Sequence, residues 1–216
     1  NGVGDFFYEP PSGFLALCTD NLPSPEIADP TAYFNTVLYT GNGATNAITG
    51  VGFSPDMVWN KSRSAVFEHH LFDTVRGATK YFSVSEADAG ATDVNSLTSF
   101  DSDGFTLGSS ATDNQTSGSM VSWNWKGGGA AVSNGDGDIT SSVSANTTAG
   151  FSIVSYAGSG TAGDTVGHGL SQTPDLIIIK NRSAITNWVV NSPLIDSTFV
   201  KWAMKLDNNE AISADT

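Results

Sequence analysis

Short apolar runs alternate with clusters of Gly, Ser, Thr, Asn and Asp along almost the whole chain, about one run every ten residues. This is the rhythm of strands joined by turns. The 23 glycines among 216 residues leave little room for helices, because each one inside a helix costs about 1 kcal/mol relative to Ala. Several runs have a period of two. In Val121-Ser-Trp-Asn-Trp125, Val121, Trp123 and Trp125 fall on one face and Ser122 and Asn124 on the other. Phe151–Tyr156 alternates more loosely. Phe100-Asp-Ser-Asp-Gly-Phe105 reads as a hairpin, with Asp103-Gly104 supplying the positive-φ position of the turn and Phe100, Phe105 and Leu107 on one sheet face. One segment fits two periods. Ile195, Phe199, Trp202 and Leu206 make a helical stripe, whereas Val200, Trp202, Met204 and Leu206 make a strand.

An internal repeat favours the strand. Pro55–Ser64 (PDMVWNKSRS) matches Pro174–Ser183 (PDLIIIKNRS) at an offset of 119 without a gap. Tyr39–Gly43 matches Tyr156–Gly160 at 117, and Lys80–Val84 matches Lys201–Lys205 at 121. Such drift is what small loop changes produce in a duplicated domain. Lys80–Val84 is short, aromatic and flanked by glycines, so it reads as a strand, and 201–205 inherits that reading.

The expected architecture is therefore all-β, with tandem β-sandwich-like repeat domains. Residues 1–33 form the end of an upstream domain plus a Pro-rich connector, with Gly13–Leu17 as a last strand. Residues 34–129 are the first repeat, 130–150 a linker with room for a short strand, and 151–216 an incomplete second repeat. The second repeat has no counterpart of the Phe100 hairpin or the Trp123 strand. Phe6-Phe-Tyr8 and Phe14–Leu17 carry too little apolar surface to fold alone. The expectation is a polypeptide longer at both ends; the alternative is a neighbouring subunit that donates the missing strands.

Charge and composition narrow the function classes. With 9 basic against 22 acidic side chains and a net charge of −13, the chain repels phosphate backbones, so nucleic acid is not an expected partner. The longest aliphatic run, Leu176–Ile179, is far too short to span a membrane as a helix. Cys18 stands alone, which excludes an intrachain disulfide and a Cys-based metal site.

No residue set is expected to be catalytic, to bind a cofactor or to hold a metal. Glu68-His-His70 is the most tempting cluster, but adjacent strand residues point to opposite faces, and no acid or Cys is spaced to complete a site. His168, between Gly167 and Gly169, suits a tight turn in which the ring covers a sheet end or bonds a carbonyl, and no Gly-x-Ser-x-Gly elbow accompanies it. Asn134–Asp138 and Asp101–Gly104 resemble calcium loops at a glance. From Asn134, however, Ile139 stands where the loop needs Gly and Ala145 where it needs Glu. Turn chemistry accounts for both segments; a weak, irregular calcium site is the alternative that their dense oxygen ligands leave open. Trp59, Trp123 and Trp125 lie within apolar runs and are expected in the core.

The chain resembles virion proteins of marine tailed phages, in which a SPRY-like β-sandwich precedes tandem copies of an uncharacterised β-rich repeat. The motifs that carry the likeness are Leu71–Tyr81 (LFDTVRGATKY), Leu97–Gly108 (LTSFDSDGFTLG), Trp123–Gly129 (WNWKGGG), Asn146–Tyr156 (NTTAGFSIVSY) and Gly167–Leu170 (GHGL). Residues 1 to about 23 resemble the end of the SPRY-like part, through Pro10–Leu17 and Asn21–Pro23. The resemblance implies a non-catalytic structural protein of the virion surface, a tail fibre, head fibre or decoration. Its expected partners are other copies of itself and other virion proteins, with assembly in the host cytoplasm, where the four Asn-x-Ser/Thr sites at Asn60, Asn114, Asn146 and Asn181 would go unused. The alternative is a carbohydrate-binding adhesin whose partner is a host surface glycan. A polysaccharide depolymerase ranks third, because no carboxylate pair stands out.

Overall fold

A computed structural model of the chain describes Tyr8, residues 11–198 and residues 202–214. Residues 1–30 and 31–216 form separate compact units. In the first, Asn21 holds a short 3-10 turn, Thr19–Asn21, by donating to the Ala16 carbonyl at 2.9 Å. The strand expected at Gly13–Leu17 is absent. The Phe14 N–H closes a turn onto the Pro11 carbonyl at 3.0 Å, and Phe14, Leu15 and Leu17 are exposed. Phe6 and Phe7 lie outside the described residues.

The second unit is all-β. Its first part contains β1 (Phe34–Thr40), β2 (Asn46–Ile48), β3 (Met57–Ser62), β4 (His70–Asp73), β5 (Lys80–Ser83), β6 (Ala91–Thr92), β7 (Leu97–Asp101), β8 (Gly104–Leu107), a one-turn helix α1 (Ala111–Asn114) and β9 (Ser119–Trp125). A six-stranded antiparallel sheet, in the order β1-β9-β3-β4-β5-β6, is accompanied by a three-stranded sheet, β2-β8-β7. Between them lies the main core: Val58 and Phe72 from the large sheet against Ile48, Leu97, Phe105 and Leu107 from the small one. These six side chains are almost wholly removed from water, at roughly 1.5–3 kcal/mol for each large one.

The predicted hairpin is present, with Phe100 opposite Phe105 and both packed on this core. Gly104 has a different task from the one expected. The two turn residues are Ser102 and Asp103, and Gly104 opens β8 at φ +151°. A Cβ there would stand 2.0 Å from the Ile48 carbonyl oxygen, so Gly is needed for the close approach of β2.

The polarity of the large sheet is also reversed from expectation. Trp59, Trp123 and Trp125 share a face, but they are half-buried on the side away from the main core. The buried positions of β3 and β9 are Val58, Asn60, Ser62, Met120, Ser122 and Asn124, with Val121 the one buried residue on the tryptophan face. The buried amides are bonded through their N–H groups: Asn124 Nδ2 donates to the Asn35 carbonyl at 3.1 Å and to Ser122 Oγ at 3.1 Å, whereas the Asn60 and Asn124 amide oxygens have no partner among the described residues.

The rest of the unit contains β10 (Val132–Asn134), β11 (Ser141–Asn146), β12 (Phe151–Tyr156), β13 (Ile177–Ile179), β14 (Val189–Asn191), β15 (Trp202–Lys205) and β16 (Ser213–Ala214). The meander β13-β14-β15-β16 restates β3-β4-β5-β6. Asn60 pairs with His70, and at an offset of 119 Ile179 pairs with Val189. Leu71 pairs with Phe82, and Val190 pairs with Met204, so the offset becomes 122 at β15. Tyr81 and Ala91 map at 122 onto Ala203 and Ser213. Pairing thus sets β15 one residue away from the sequence match at 121. Trp202–Lys205 is a strand, which resolves the ambiguous segment; Phe199, Val200 and Lys201 lie outside the described residues. β12 corresponds to β1 along the sequence at an offset of 117, but it pairs with β11. Residues 130–150 are more than a linker, because β11 pairs along the whole of β12.

The second repeat covers the tryptophan face of the first. Phe151 stacks on Trp125 at 6.2 Å. Trp188 meets Phe82 edge-on at 5.2 Å, with Trp59 and Leu71 around them. Gly128 passes so close to β11 that a Cβ would fall 2.4 Å from the Ala145 carbonyl oxygen.

Candidate functional site

The most concentrated polar chemistry is a buried node around Asp113, on α1. Both Asp113 and Asn114 have no solvent exposure. The Asp113 carboxylate accepts hydrogen bonds from the Ser96 hydroxyl, from His70 Nδ1 at 2.8 Å and from Asn60 Nδ2 at 3.4 Å. Its backbone carbonyl accepts the Tyr39 hydroxyl at 2.7 Å. Burial, and then the neighbouring Asp113 charge, push the Tyr39 phenol well above its ordinary value. The His70 ring lies 4.0 Å from that of Tyr81. Asn114 beside it accepts from the Asn42 N–H and from Asn46 Nδ2, each at 2.9 Å, and donates to the Ala44 and Gly108 carbonyls.

Ser, His and Asp meet here, but not in the order that acyl transfer uses. The hydroxyl and the imidazole both bond the carboxylate, whereas a nucleophilic serine must bond the imidazole, which is then oriented by the acid. The node ties α1 to β3, β4 and the entry to β7. Sequence reasoning found no acid for His70, because Asp113 is 43 residues away and only folding brings it near. His69 points elsewhere, with its ring 6.3 Å from Trp59.

The other candidates resolve into turn and sheet chemistry. His168 Nδ1 accepts the Leu170 N–H at 3.1 Å, so the ring bonds a backbone donor rather than a carbonyl. In the Asn134–Asp138 segment, Asn134 Oδ1 accepts the Asp136 N–H at 2.8 Å. The Asp138 carboxylate takes both the N–H and the hydroxyl of Thr165, at 3.0 and 2.8 Å, and these bonds lower its proton affinity. Asp101 accepts from Ser99 and Thr106 hydroxyls, while Asp103 is cradled by the N–H groups of Gly50 and Gly52 at 3.0 and 2.6 Å. Among the described residues no three His, Cys, Asp or Glu side chains converge on a point that could hold a metal.

A second feature is concave and lies between repeats of the same strand pattern. In the first repeat β9 runs between β1 and β3. Across it, Val37–Ser122–Asn60, Leu38–Val121–Lys61 and Tyr39–Met120–Ser62 stand in rows. Shifted by the repeat offsets, the outer members become Val154 with Ile179, Ser155 with Lys180, and Tyr156 with Asn181. These six residues line one cleft of about 770 Å³. Each of the strands flanking it, β12 and β13, is the edge of its sheet. The guanidinium of Arg182 reaches Ser155 Oγ at 2.8 Å across the opening. Lys180 Nζ donates to the Ala87 carbonyl at 2.7 Å. On the wall the Arg76 guanidinium lies 3.9 Å over the Phe82 ring and donates to Asp73 at 2.5 Å; burial lowers its pKa against the pull of Asp73. The Asp73-x-x-Arg76 spacing in a turn is a signal the sequence did contain.

These features define an all-β, tandemly repeated protein whose titratable groups are largely spent on holding loops and strands together. The chain belongs to the family described as "Domain of unknown function (DUF7483)", which matches residues 29–216. No curated protein matches the chain, and no solved structure does.

Proposed function

We propose that this chain is a structural module of the surface of a tailed-phage particle, a fibre or decoration built from tandem β-domains. It acts by assembling with copies of itself and with other virion proteins rather than by catalysis. The observation that carries this reading is the strand-for-strand repetition of β3–β6 by β13–β16, with the repeats joined through aromatic contacts. Repeating a sandwich along a chain extends a surface, and welding each unit to the next gives it stiffness. The resemblance of its motifs to those of marine phage virion proteins supports the same assignment. The net charge of −13 suits a solvated outer surface and disfavours contact with packaged nucleic acid.

The test is immunogold labelling of intact purified particles with antibody against the chain. Label on tail or head surfaces is expected. Particles that carry none, while the lysate supernatant does, would reject the assignment. Selective retention on a glycan array, lost when an exposed aromatic is removed, would move the protein to the adhesin class. Release of reducing sugar from host polysaccharide would reject the non-catalytic reading.

A further inference from the structure

We infer that the cleft lined by Arg76, Lys80, Thr92, Ser155 and Arg182 is a binding site for a doubly charged tetrahedral oxyanion, a sulfate or phosphate group, held between the two repeats. The first observation is the distribution of charge. The sequence has 9 basic side chains against 22 acidic ones. Yet four of the nine, Arg76, Lys80, Lys180 and Arg182, line this one cleft, and no Asp or Glu does. The second is the lack of neutralising partners. Among the described residues, Lys80, Lys180 and Arg182 make no ion pair, while Arg76 is paired with Asp73. Lys180 is occupied with the Ala87 and Thr186 carbonyls, as Lys61 is with that of Phe67 at the matching place in the first repeat. The charges of Asp207 and Asp88 also act on it from outside the lining. That leaves Lys80 and Arg182, both exposed, as two cations that no lining carboxylate offsets, which matches the charge of one dianion.

The third observation is that bonds between the repeats fix these groups in place. The Gly90 N–H donates to the Arg182 carbonyl at 3.0 Å and the Thr186 N–H to the Ala87 carbonyl at 2.9 Å, so the turn after β13 is fastened to the loop before β6. The Arg182 guanidinium spends one nitrogen on Ser155 Oγ at 2.8 Å. That bond orients it and leaves further N–H groups for an oxyanion, which a guanidinium recognises with a fork of donors. Lys80 shares a face of β5 with Phe82, and Thr92 stands opposite it across the β5–β6 ladder, a hydroxyl donor beside an ammonium. Arg76 lies over the Phe82 ring. Burial first, and then the charge of Arg182, lower its pKa against the pull of Asp73, and an anion beside Arg182 relieves that repulsion. The net charge of −13 turns a long polyanion away. Exposed charges are screened beyond about 8 Å at physiological ionic strength, and inside that distance a small oxyanion meets the cations of the cleft.

Calorimetric titration of the whole chain with inorganic sulfate and with inorganic phosphate tests this, at an ionic strength held constant with sodium chloride. Saturable binding at one site is expected, with a rise in melting temperature that saturates over the same range. Lys80→Gln and Arg182→Gln should each weaken binding about tenfold, for one charge-assisted contact apiece. Arg63→Gln removes the counterpart of Arg182 at the offset of 119 and should leave the affinity unchanged. All three side chains are exposed, so the variants should fold, and titration of the unaltered chain needs no variant. A sugar phosphate monoester titrated alongside distinguishes the source of the group. Tighter binding than inorganic phosphate means that it arrives on a larger molecule, and equal or weaker binding means the free anion; both uphold the site. Absence of saturable heat together with an unmoved melting temperature overturns the proposal. So does an affinity that neither Lys80→Gln nor Arg182→Gln changes, or that Arg63→Gln lowers as much as they do.

Discussion

Asp113 is a carboxylate with no access to water, and its burial is sustained by donors from three strands and loops. Removing the acceptor strands those donors. Asp113→Ala leaves Ser96, His70 and Asn60 with lost partners, each costing about 1–3 kcal/mol when buried. Urea unfolding should show a loss of at least ~3 kcal/mol by that reckoning; a loss below ~1 kcal/mol would refute the node's structural role. Asp103 makes a pH-dependent contribution instead. The N–H groups of Gly50 and Gly52 hold its carboxyl below the usual range. The folded state then binds its proton less tightly than the unfolded one. Its contribution is present in full above the ordinary carboxylate pKa and fades as pH falls through the lowered folded value. Asp103→Ala should therefore melt below the native chain at neutral pH, with the gap closing below about pH 4. A gap that stays constant down to pH 2 would contradict this.

At the scale of elements, alternation predicted the faces of β9 correctly but not which face turns inward. Period two sorts side chains into two sets, and hydrophobicity then assigns the apolar set to the core. That assignment failed for Trp123 and Trp125 because β9 is central and covered on both sides. The Asn124 amide donates inside the sheet, while the rings of Trp59 and Trp125 pack against Trp188 and Phe151 of the second repeat. The Phe100–Phe105 hairpin was legible from its turn residues, while the need for Gly104 was not, since it arises from β2, more than fifty residues earlier. Gly104→Ala should cost about 1–3 kcal/mol as the hairpin shifts away from the Ile48 carbonyl. A melting curve matching the native one would show that the contact relaxes freely.

For the unit spanning 31–216, the contact between repeats is the main determinant. Trp188 is 4% exposed and packs on Phe82 of the other repeat. Its indole N–H donates to the Ser83 and Glu86 carbonyls, each at 3.2 Å. Trp188→Ala should cost about 3–5 kcal/mol. Calorimetry should show one transition for the native chain and two for the variant, because the repeats lose their shared aromatic cluster. A single transition in both would mean that Phe151 and β11 suffice to couple them.

The order of residues alone determined the class of fold, the duplication and most strand positions. These depend on local alternation, on turn-forming residues and on similarity between segments, all of which are written along the chain. Tertiary structure alone decided that Asp113 answers His70, that the polar face of β9 is the buried one, and that β15 pairs one residue away from its sequence match. It also decided that β12 and β13, each the edge of its sheet, line one cleft. Each of these depends on which distant segments meet and on what the backbone hydrogen bonds then require, and periodicity along a single strand carries no information about either.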